Sequence, residues 1–346
     1  MIQAKRIFMI GDFKEDTSTS ITVERRHWYK GFIRAGHDVQ KFSYMNILLQ
    51  NSFFGSKSIA KNFAHQKTEK LLLEQVRCYK PDIVMVLIMK DIRPELIDEI
   101  RKISPNSIFL GRDVDWLPQN NAERTAIAKK LDCIIATNAG EWLQYYKDLG
   151  IPKCAFIPCP CDPDIHRPYP KDPALQTDII FTGKMIHGKN KSQADQNRVD
   201  ILTTLQKMPN VSLYGLDGKN KIMGVSAFAA VSNAKIALSI NAINTMRMCH
   251  SDRFVNYIAC GTMTLAKRVP DTDLLFQDKK HVRYFDSIEE FLDLSKWYLE
   301  HDEERKKIAQ QGMERAHSEF HCTRIAQLTM DFIENGTYQA DWATVL

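Results

Sequence analysis

The segment His250-Ser251-Asp252-Arg253-Phe254-Val255-Asn256-Tyr257-Ile258-Ala259-Cys260-Gly261 sets polar residues at the start of an apolar helical pattern. Val255, Ile258 and Ala259 fall on one side of a helix, so that side faces a core. Arg253 and Asn256 stand one turn apart and share a face near the N-terminal end. A guanidinium presents a rigid fork of donors to phosphate oxygens, and an amide can hold a ribose hydroxyl. Gly261 ends the helix ahead of a strand at Met263. A second cationic set follows another strand: Gly183 and Lys184, then Lys189, Lys191 and Arg198. A nucleotide diphosphate needs cations and backbone N–H groups, best supplied at a helix N-terminus. This set provides them, although a solvated basic loop has the same composition.

Other chemistries lack their signatures. There is no GxxxxGK[ST] phosphate loop, and no GxGxxG follows a strand, which argues against a dinucleotide oxidoreductase. A GxSxG nucleophile elbow and an HExxH metal-binding helix are also missing from the sequence. Cys154, Cys159, Cys161 and His166 cluster and would make four metal ligands, but without CxxC spacing. Reduced cysteines in a structural linker are the better reading.

The elements that must position these residues alternate between strand and helix, the pattern of βαβ units around a parallel sheet. Arg6–Ile10 forms a first strand closed by Gly11-Asp12, and a helix runs from about Thr22 to Ala35 before Gly36. An extended stretch follows at 37–44, then a helix through Ile59, Phe63, Leu71, Leu72 and Val76. The β-branched run 83–88 reads as a buried parallel strand, with further strands at 107–110 and 133–136. Pro158, Pro160, Pro163, Pro168, Pro170 and Pro173 then interrupt regular hydrogen bonding, which marks 158–173 as a linker. The alternation restarts with strands at 178–182, 211–214, 236–240, 263–266 and 282–285, and 287–334 is almost wholly helical. The expected fold is α/β, two Rossmann-like domains facing across a cleft. An N-terminal domain spans 1–160, a C-terminal domain spans 174–325, and a helix within 326–346 completes the first domain; the resemblance described below makes the first the acceptor side and the second the nucleotide-sugar side. Ile325, Leu328, Phe332 and Ile333 give that last helix an apolar stripe.

Composition agrees with a folded protein. Over 346 residues, 44% are hydrophobic and 26% charged, enough apolar content for sizeable cores. The net charge of +5 favours an anionic ligand or surface without requiring one. No apolar run approaches a membrane span, and the expectation is a cytoplasmic protein that keeps its eight cysteines reduced. Peripheral association with an anionic surface remains open.

The stretch from Arg253 to Ile325 resembles the C-terminal domain of the CgeB-like glycosyltransferases, a branch of the family-1-type enzymes with the GT-B architecture. The resemblance rests on Arg253, Ala259-Cys260-Gly261, Tyr284-Phe285-Asp286-Ser287-Ile288-Glu289-Glu290-Phe291 and Asp302-Glu303-Glu304-Arg305. It continues through Ile308-Ala309, Gly312, Arg315 and His321 to Arg324. Lys80-Pro81-Asp82, Gly111-Arg112-Asp113-Val114-Asp115-Trp116, and Ile157-Pro158 leading to Asp162-Pro163 fit the same family more loosely. The family usually carries a glutamate where this chain has Asn256; an amide still hydrogen-bonds a hydroxyl but brings no charge.

The resemblance implies a glycosyltransferase that moves a hexosyl or pentosyl group from a UDP- or GDP-linked sugar to a hydroxyl acceptor. The nucleotide sugar would be a co-substrate, with no other cofactor. Gly183, Lys184, Arg198, Arg253 and Asn256 would bind the donor. Lys184, Arg198 and Arg253 would stabilise the leaving diphosphate without a metal. Asp113-Val114-Asp115 is a DxD sequence, which in another glycosyltransferase architecture holds a divalent ion. Here Asp113 or Asp115 is instead a candidate for deprotonating the acceptor, with Asp12 and His27 as rival bases. Trp28 and Trp116 are candidates for stacking on a sugar ring. Two alternatives stand beside this reading: a metal-dependent DxD enzyme, and a nucleotide- or sugar-binding protein without catalysis. The acceptor is open among a glycan, a lipid-linked sugar, a protein and a modified nucleobase.

Overall fold

A computed structural model describes residues 3–346 except 16, 18, 53–62, 91, 115–121, 186–195 and 219. The chain divides into two compact units: unit 1 comprises Met1–Ile157 with Cys322–Leu346, and unit 2 comprises Pro158–His321.

Unit 1 is built on the strands β1 (Arg6–Gly11), β2 (Asp38–Ser43), β3 (Ile83–Val86), β4 (Ile108–Asp113), β5 (Cys133–Ala136) and β6 (Lys153–Phe156). All pair in parallel, in the order β2-β1-β3-β4-β5-β6. Their sequences explain the arrangement. Ile7–Ile10, Ile83–Val86 and Cys133–Ala136 are buried throughout, as continuous apolar runs must be when helices cover both faces of a parallel sheet. Unit 1's helices are α1 (Glu24–Arg34), α2 (Tyr44–Gln50), α3 (Phe63–Tyr79), α4 (Pro94–Ile103), α5 (Ala122–Ala128) and α6 (Glu141–Asp148).

The chain's end belongs to this unit. The last helix, α12 (Cys322–Asn335), buries Ile325, Leu328, Phe332 and Ile333. It lies against α1 so closely that a Cβ added at Gly31 would sit 2.3 Å from the Cys322 carbonyl oxygen. The tail beyond α12 pairs antiparallel with β6: Cys154 and Leu346 exchange backbone hydrogen bonds of 3.2 and 2.8 Å, and the Phe156 N–H donates to the Thr344 carbonyl at 2.9 Å. A sheet edge that would otherwise present unpaired backbone groups is thereby covered. Trp342, 1% exposed, meets Phe156 edge-on and anchors the tail.

Unit 2 holds β7 (Thr177–Thr182), β8 (Val211–Tyr214), β9 (Ala234–Ser239), β10 (Met263–Lys267) and β11 (Arg283–Phe285), again all parallel, in the order β11-β10-β9-β7-β8. Its helices are α7 (Gln196–Leu205), α8 (Val225–Asn233), α9 (Asp252–Ala259), α10 (Ile288–Glu300) and α11 (Asp302–Glu319). Ile179, Phe181, Ile236, Leu238, Met263 and Leu265 pack with residues of α7 and α10 into one core on one side of the sheet. Ile180, Ala237, Tyr257 and Cys260 gather a second cluster with α8. The proline-rich segment from Pro158 onward is fastened to unit 2: the Cys161 N–H donates to the Phe320 carbonyl at 2.8 Å, the Tyr169 N–H to Ser232 Oγ at 3.0 Å, and the Asp172 N–H to Asn233 Oδ1 at 2.9 Å. No helix among the described residues is long and apolar enough to cross a membrane.

Candidate active site

Each unit has a doubly wound strand order, in which the first strand lies between the second and the third. The crossovers leave the first and third strands in opposite directions, and ligands of such sheets bind outside the carboxyl ends at that point. In unit 2 the switch point is between β7 and β9, where the chain leaves as Thr182-Gly183-Lys184 and Ile240-Asn241. In unit 1 it is between β1 and β3, where Asp12 follows β1 directly.

Helix α9 is clamped onto the unit 2 switch point. Phe254, Val255, Ile258 and Ala259 are buried. The Tyr257 hydroxyl accepts from the Thr182 N–H at 2.8 Å and lies 2.9 Å from Thr182 Oγ1. Burial pushes that phenol's pKa up, so it stays neutral. The helix thus carries Arg253 into the corner between the two strands. Arg253 Nη1 donates to the Ile240 carbonyl at 3.2 Å, and its guanidinium carbon stands 4.9 Å from the centroid of the buried Phe181 ring. Gly183 has φ +149, and a Cβ there would lie 2.8 Å from Arg253 Nη2, so any side chain would displace the guanidinium.

Arg253 makes no ion pair among the described residues. Asp252 accepts the Arg253 backbone N–H at 2.8 Å, and Asp271 pairs with Arg247 at 2.5 Å. A fixed arginine with N–H groups to spare at a switch point is suited to an anion. Asn256 is 8% exposed, and its Oδ1 has no hydrogen-bond partner among the described residues. The N-cap Ser251 Oγ is likewise buried without one. Buried polar atoms left unpaired cost free energy, and each fits a ligand hydroxyl or amide. Lys184 is exposed beside Gly183, with no ion pair among the described residues.

Arg198 does a different job from the phosphate contact expected of it. It is 1% exposed, and its guanidinium donates to the carbonyls of Met185 (3.1 Å), Lys184 and Ile240. It also stacks 5.2 Å from the Phe181 centroid. A guanidinium so committed is a strut: it ties the turn after β7 to the end of β9 and shares the Ile240 carbonyl with Arg253. Lys189 and Lys191 lie outside the described residues.

In unit 1 the carboxylates separate. Asp12 is half-buried, and its Oδ1 accepts from the Lys14 N–H at 3.3 Å. Asp113, also named as a base, is corrected by its surroundings. It is 4% exposed, and its carboxylate accepts from Trp142 Nε1 at 3.1 Å and from the Tyr146 hydroxyl, and pairs with Arg124 at 3.3 Å. Burial, then the Asp113 charge, pushes the Tyr146 hydroxyl upward, keeping it a donor. A carboxylate so enclosed has no path to an acceptor proton. Asp115 and Trp116 lie outside the described residues.

His27 and Trp28 are buried in α1, so neither offers a surface to a sugar. The Trp28 indole donates to Glu24, and the Arg112 guanidinium covers its ring at 4.8 Å. None of the eight cysteines is in a disulfide. Cys154 belongs to β6 in unit 1, whereas Cys159, Cys161 and His166 belong to unit 2. Among the described residues no group of three or more His, Cys, Asp or Glu is arranged to hold a metal.

Sequence reasoning missed two residues of this corner, Phe181 and Tyr257. The signal was present: an aromatic two residues before a strand-ending glycine, and a tyrosine one residue after Asn256.

Residues 196–331 match the family described as glycosyl transferase-like. Among curated proteins none matches the chain's sequence. Solved structures of similar fold include sucrose-phosphate synthase of Thermosynechococcus elongatus, at TM-score 0.57 and 12% identity, covering 96% of this chain and 98% of that one. Anabaena HepE in complex with UDP-glucose aligns at TM-score 0.60 and 10% identity, covering 96% and 100%. A glycosyltransferase of Rickettsia africae aligns at 0.56 and 13%, covering 96% and 99%. The fold is the one these structures share, two Rossmann-like units in the GT-B architecture, and the segment similar to glycosyl transferases lies largely in unit 2. The glycosyl transferase-like segment runs from α7 into α12.

Proposed function

We propose that this protein transfers a hexosyl or pentosyl group from a UDP- or GDP-linked sugar to an acceptor hydroxyl, without a metal. The observation that carries the reading is the Arg253 guanidinium, held against Phe181 and the Ile240 carbonyl beside Gly183, at the switch point of unit 2. Arg253 and Lys184 take the diphosphate and Asn256 a ribose hydroxyl, while Arg198 keeps the corner in shape. HepE, of similar fold, has been solved with UDP and with UDP-glucose, which supports a uridine diphosphate sugar as the donor to try first.

In the reaction the bond between the anomeric carbon and the diphosphate oxygen breaks, and the acceptor oxygen forms the new bond to that carbon. The diphosphate leaves with additional negative charge, which Arg253 and Lys184 offset; donors fixed beforehand at a developing anion are the most effective kind. The acceptor's proton passes to a carboxylate of unit 1. Asp12, half-buried and following β1 directly, is the candidate base taken first, and Asp115 is the other. We assign the protein to the cytoplasm, where its eight cysteines would stay reduced.

Incubation with a panel of nucleotide sugars, with and without EDTA, tests this reading through release of UDP or GDP. Release that survives EDTA is expected. Activity abolished by chelation and restored by manganese would overturn metal independence. No release from any donor, alongside tight nucleotide binding, would mean a binding protein.

A further inference from the structure

Unit 1 carries, beside Asp12, a cluster for which sugar transfer as described has no use. Tyr29 of α1 is flanked by two cations: the Arg26 guanidinium carbon lies 4.9 Å and the Lys41 ammonium 5.3 Å from its ring centroid. Lys41 also stands 5.8 Å from the Phe13 ring, which meets Tyr29 near-perpendicularly at 6.4 Å between centroids. Phe13 is the residue after Asp12, and its N–H donates to Ser43 Oγ at 3.2 Å, at the ends of the paired strands β1 and β2. The aromatic pair is therefore fixed next to the proposed base.

The charges of this cluster do not close among themselves. Lys41 pairs with Glu15, but Arg26 makes no ion pair among the described residues. Arg25 has its Nε buried with no hydrogen-bond partner among the described residues. Glu24, the residue before Arg25, is hydrogen-bonded to Arg112 and shares its charge between Arg112 and Arg25. Arg25 and Arg26 also sit in the first turn of α1, where the helix's own dipole disfavours cations. With Glu15 on Lys41 and Glu24 on Arg112, the described residues leave an excess of positive charge on Arg25 and Arg26 beside one half-buried ring, which a further anion would offset.

We infer that the acceptor carries an anionic group, a phosphate or a carboxylate, held between Arg26 and Lys41 beside the Tyr29 ring. Asp12 is then left to the reacting hydroxyl. An arginine fork and a lysine point charge together suit a group with several oxygens. The amphipathic Tyr29 ring gives the attached sugar a flat surface. This inference rests on the sugar-transfer reading, because it concerns the second substrate of that reaction.

The test is calorimetric titration of the whole protein with glucose 6-phosphate, glucuronate, glucose and inorganic phosphate. Arg26→Ala and Lys41→Met are titrated alongside, with thermal melts to show that both are folded. At least one charged sugar should bind about tenfold or more tighter than glucose, the scale of a charge-assisted contact, and each variant should erase that preference. Preference for glucose 6-phosphate identifies a phosphate, and preference for glucuronate a carboxylate. Equal binding of charged and neutral sugars, no binding of either, or a preference that survives in both folded variants would overturn the inference. A parallel titration of the native protein with UDP and GDP separates the two readings. Nucleotide binding without anion preference removes only the acceptor inference, whereas anion preference without nucleotide binding removes the donor reading and with it the acceptor role of the anion site.

Discussion

Replacing Arg253 by alanine separates a catalytic arginine from a structural one, because the structure assigns the two roles different magnitudes. The folded state loses one hydrogen bond to the Ile240 carbonyl, about 1 kcal/mol, and one contact with the Phe181 face, about 0.5–1 kcal/mol. A stability loss of roughly 1–2 kcal/mol follows, and the variant folds. Turnover loses more. A donor held in place before the reaction and aimed at a developing anion is worth on the order of a hundredfold, roughly 2.7 kcal/mol. Arg253→Lys should recover part of that, since it restores charge but not the fork. Gly183→Ala supplies an independent perturbation, because its methyl group would lie 2.8 Å from Arg253 Nη2 and push the guanidinium aside. It should reproduce the loss in turnover, and the double variant should be little worse than either single one, since both remove the same interaction. Steady-state kinetics on folded protein, with a thermal melt for each variant, measure both quantities. An unchanged turnover number in Arg253→Ala, or full additivity of the two substitutions, would refute the reasoning.

Asp12→Asn should leave the melt near wild type and lower turnover by roughly a hundredfold or more, the contribution of a general base. Asp113→Asn should do the opposite: it breaks a buried ion pair at about 3 kcal/mol or more, seen as a lower denaturant midpoint, while the folded fraction keeps its rate. Trp342→Ala should cost about 3–5 kcal/mol in urea unfolding, because the ring that anchors the tail against β6 is 1% exposed. Glu24 should shape the acid limb of stability. Burial raises its pKa, but the charge and hydrogen bonds of Arg112, with help from Arg25 and Trp28, outweigh burial and leave it below the ordinary value of 4.5. A carboxylate whose folded pKa is depressed adds stability above its unfolded pKa, and that stability is lost as pH falls through the folded one. Glu24→Gln should therefore flatten the fall in melting temperature below about pH 4.5; an unchanged acid limb would contradict the pairing.

The two α/β units were legible in the sequence because parallel strands covered on both faces are written as unbroken apolar runs, as in Ile83–Val86. Arg253 and Asn256 stood out because both lie within a single turn of an amphipathic helix. What stayed hidden depended on contacts distant in sequence. The carbonyl that holds Arg198 at the end of β9 is 42 residues away, and the donors that enclose Asp113 come 29 and 33 residues later, from α6. Strand β6 was missed because Lys153-Cys154-Ala155-Phe156 is short, and its cysteine drew attention as a metal ligand. Its pairing with a tail that begins after α12 has no local signal at all.

The central claim is that a nucleotide diphosphate sits at the β7–β9 switch point of unit 2. A crystal structure of the protein soaked with UDP tests it most directly. The account predicts diphosphate oxygens within hydrogen-bonding distance of the Arg253 guanidinium and a ribose hydroxyl on Asn256. A nucleotide bound elsewhere, with Asn256 Oδ1 still unpaired and Arg253 facing only the Ile240 carbonyl, would contradict it.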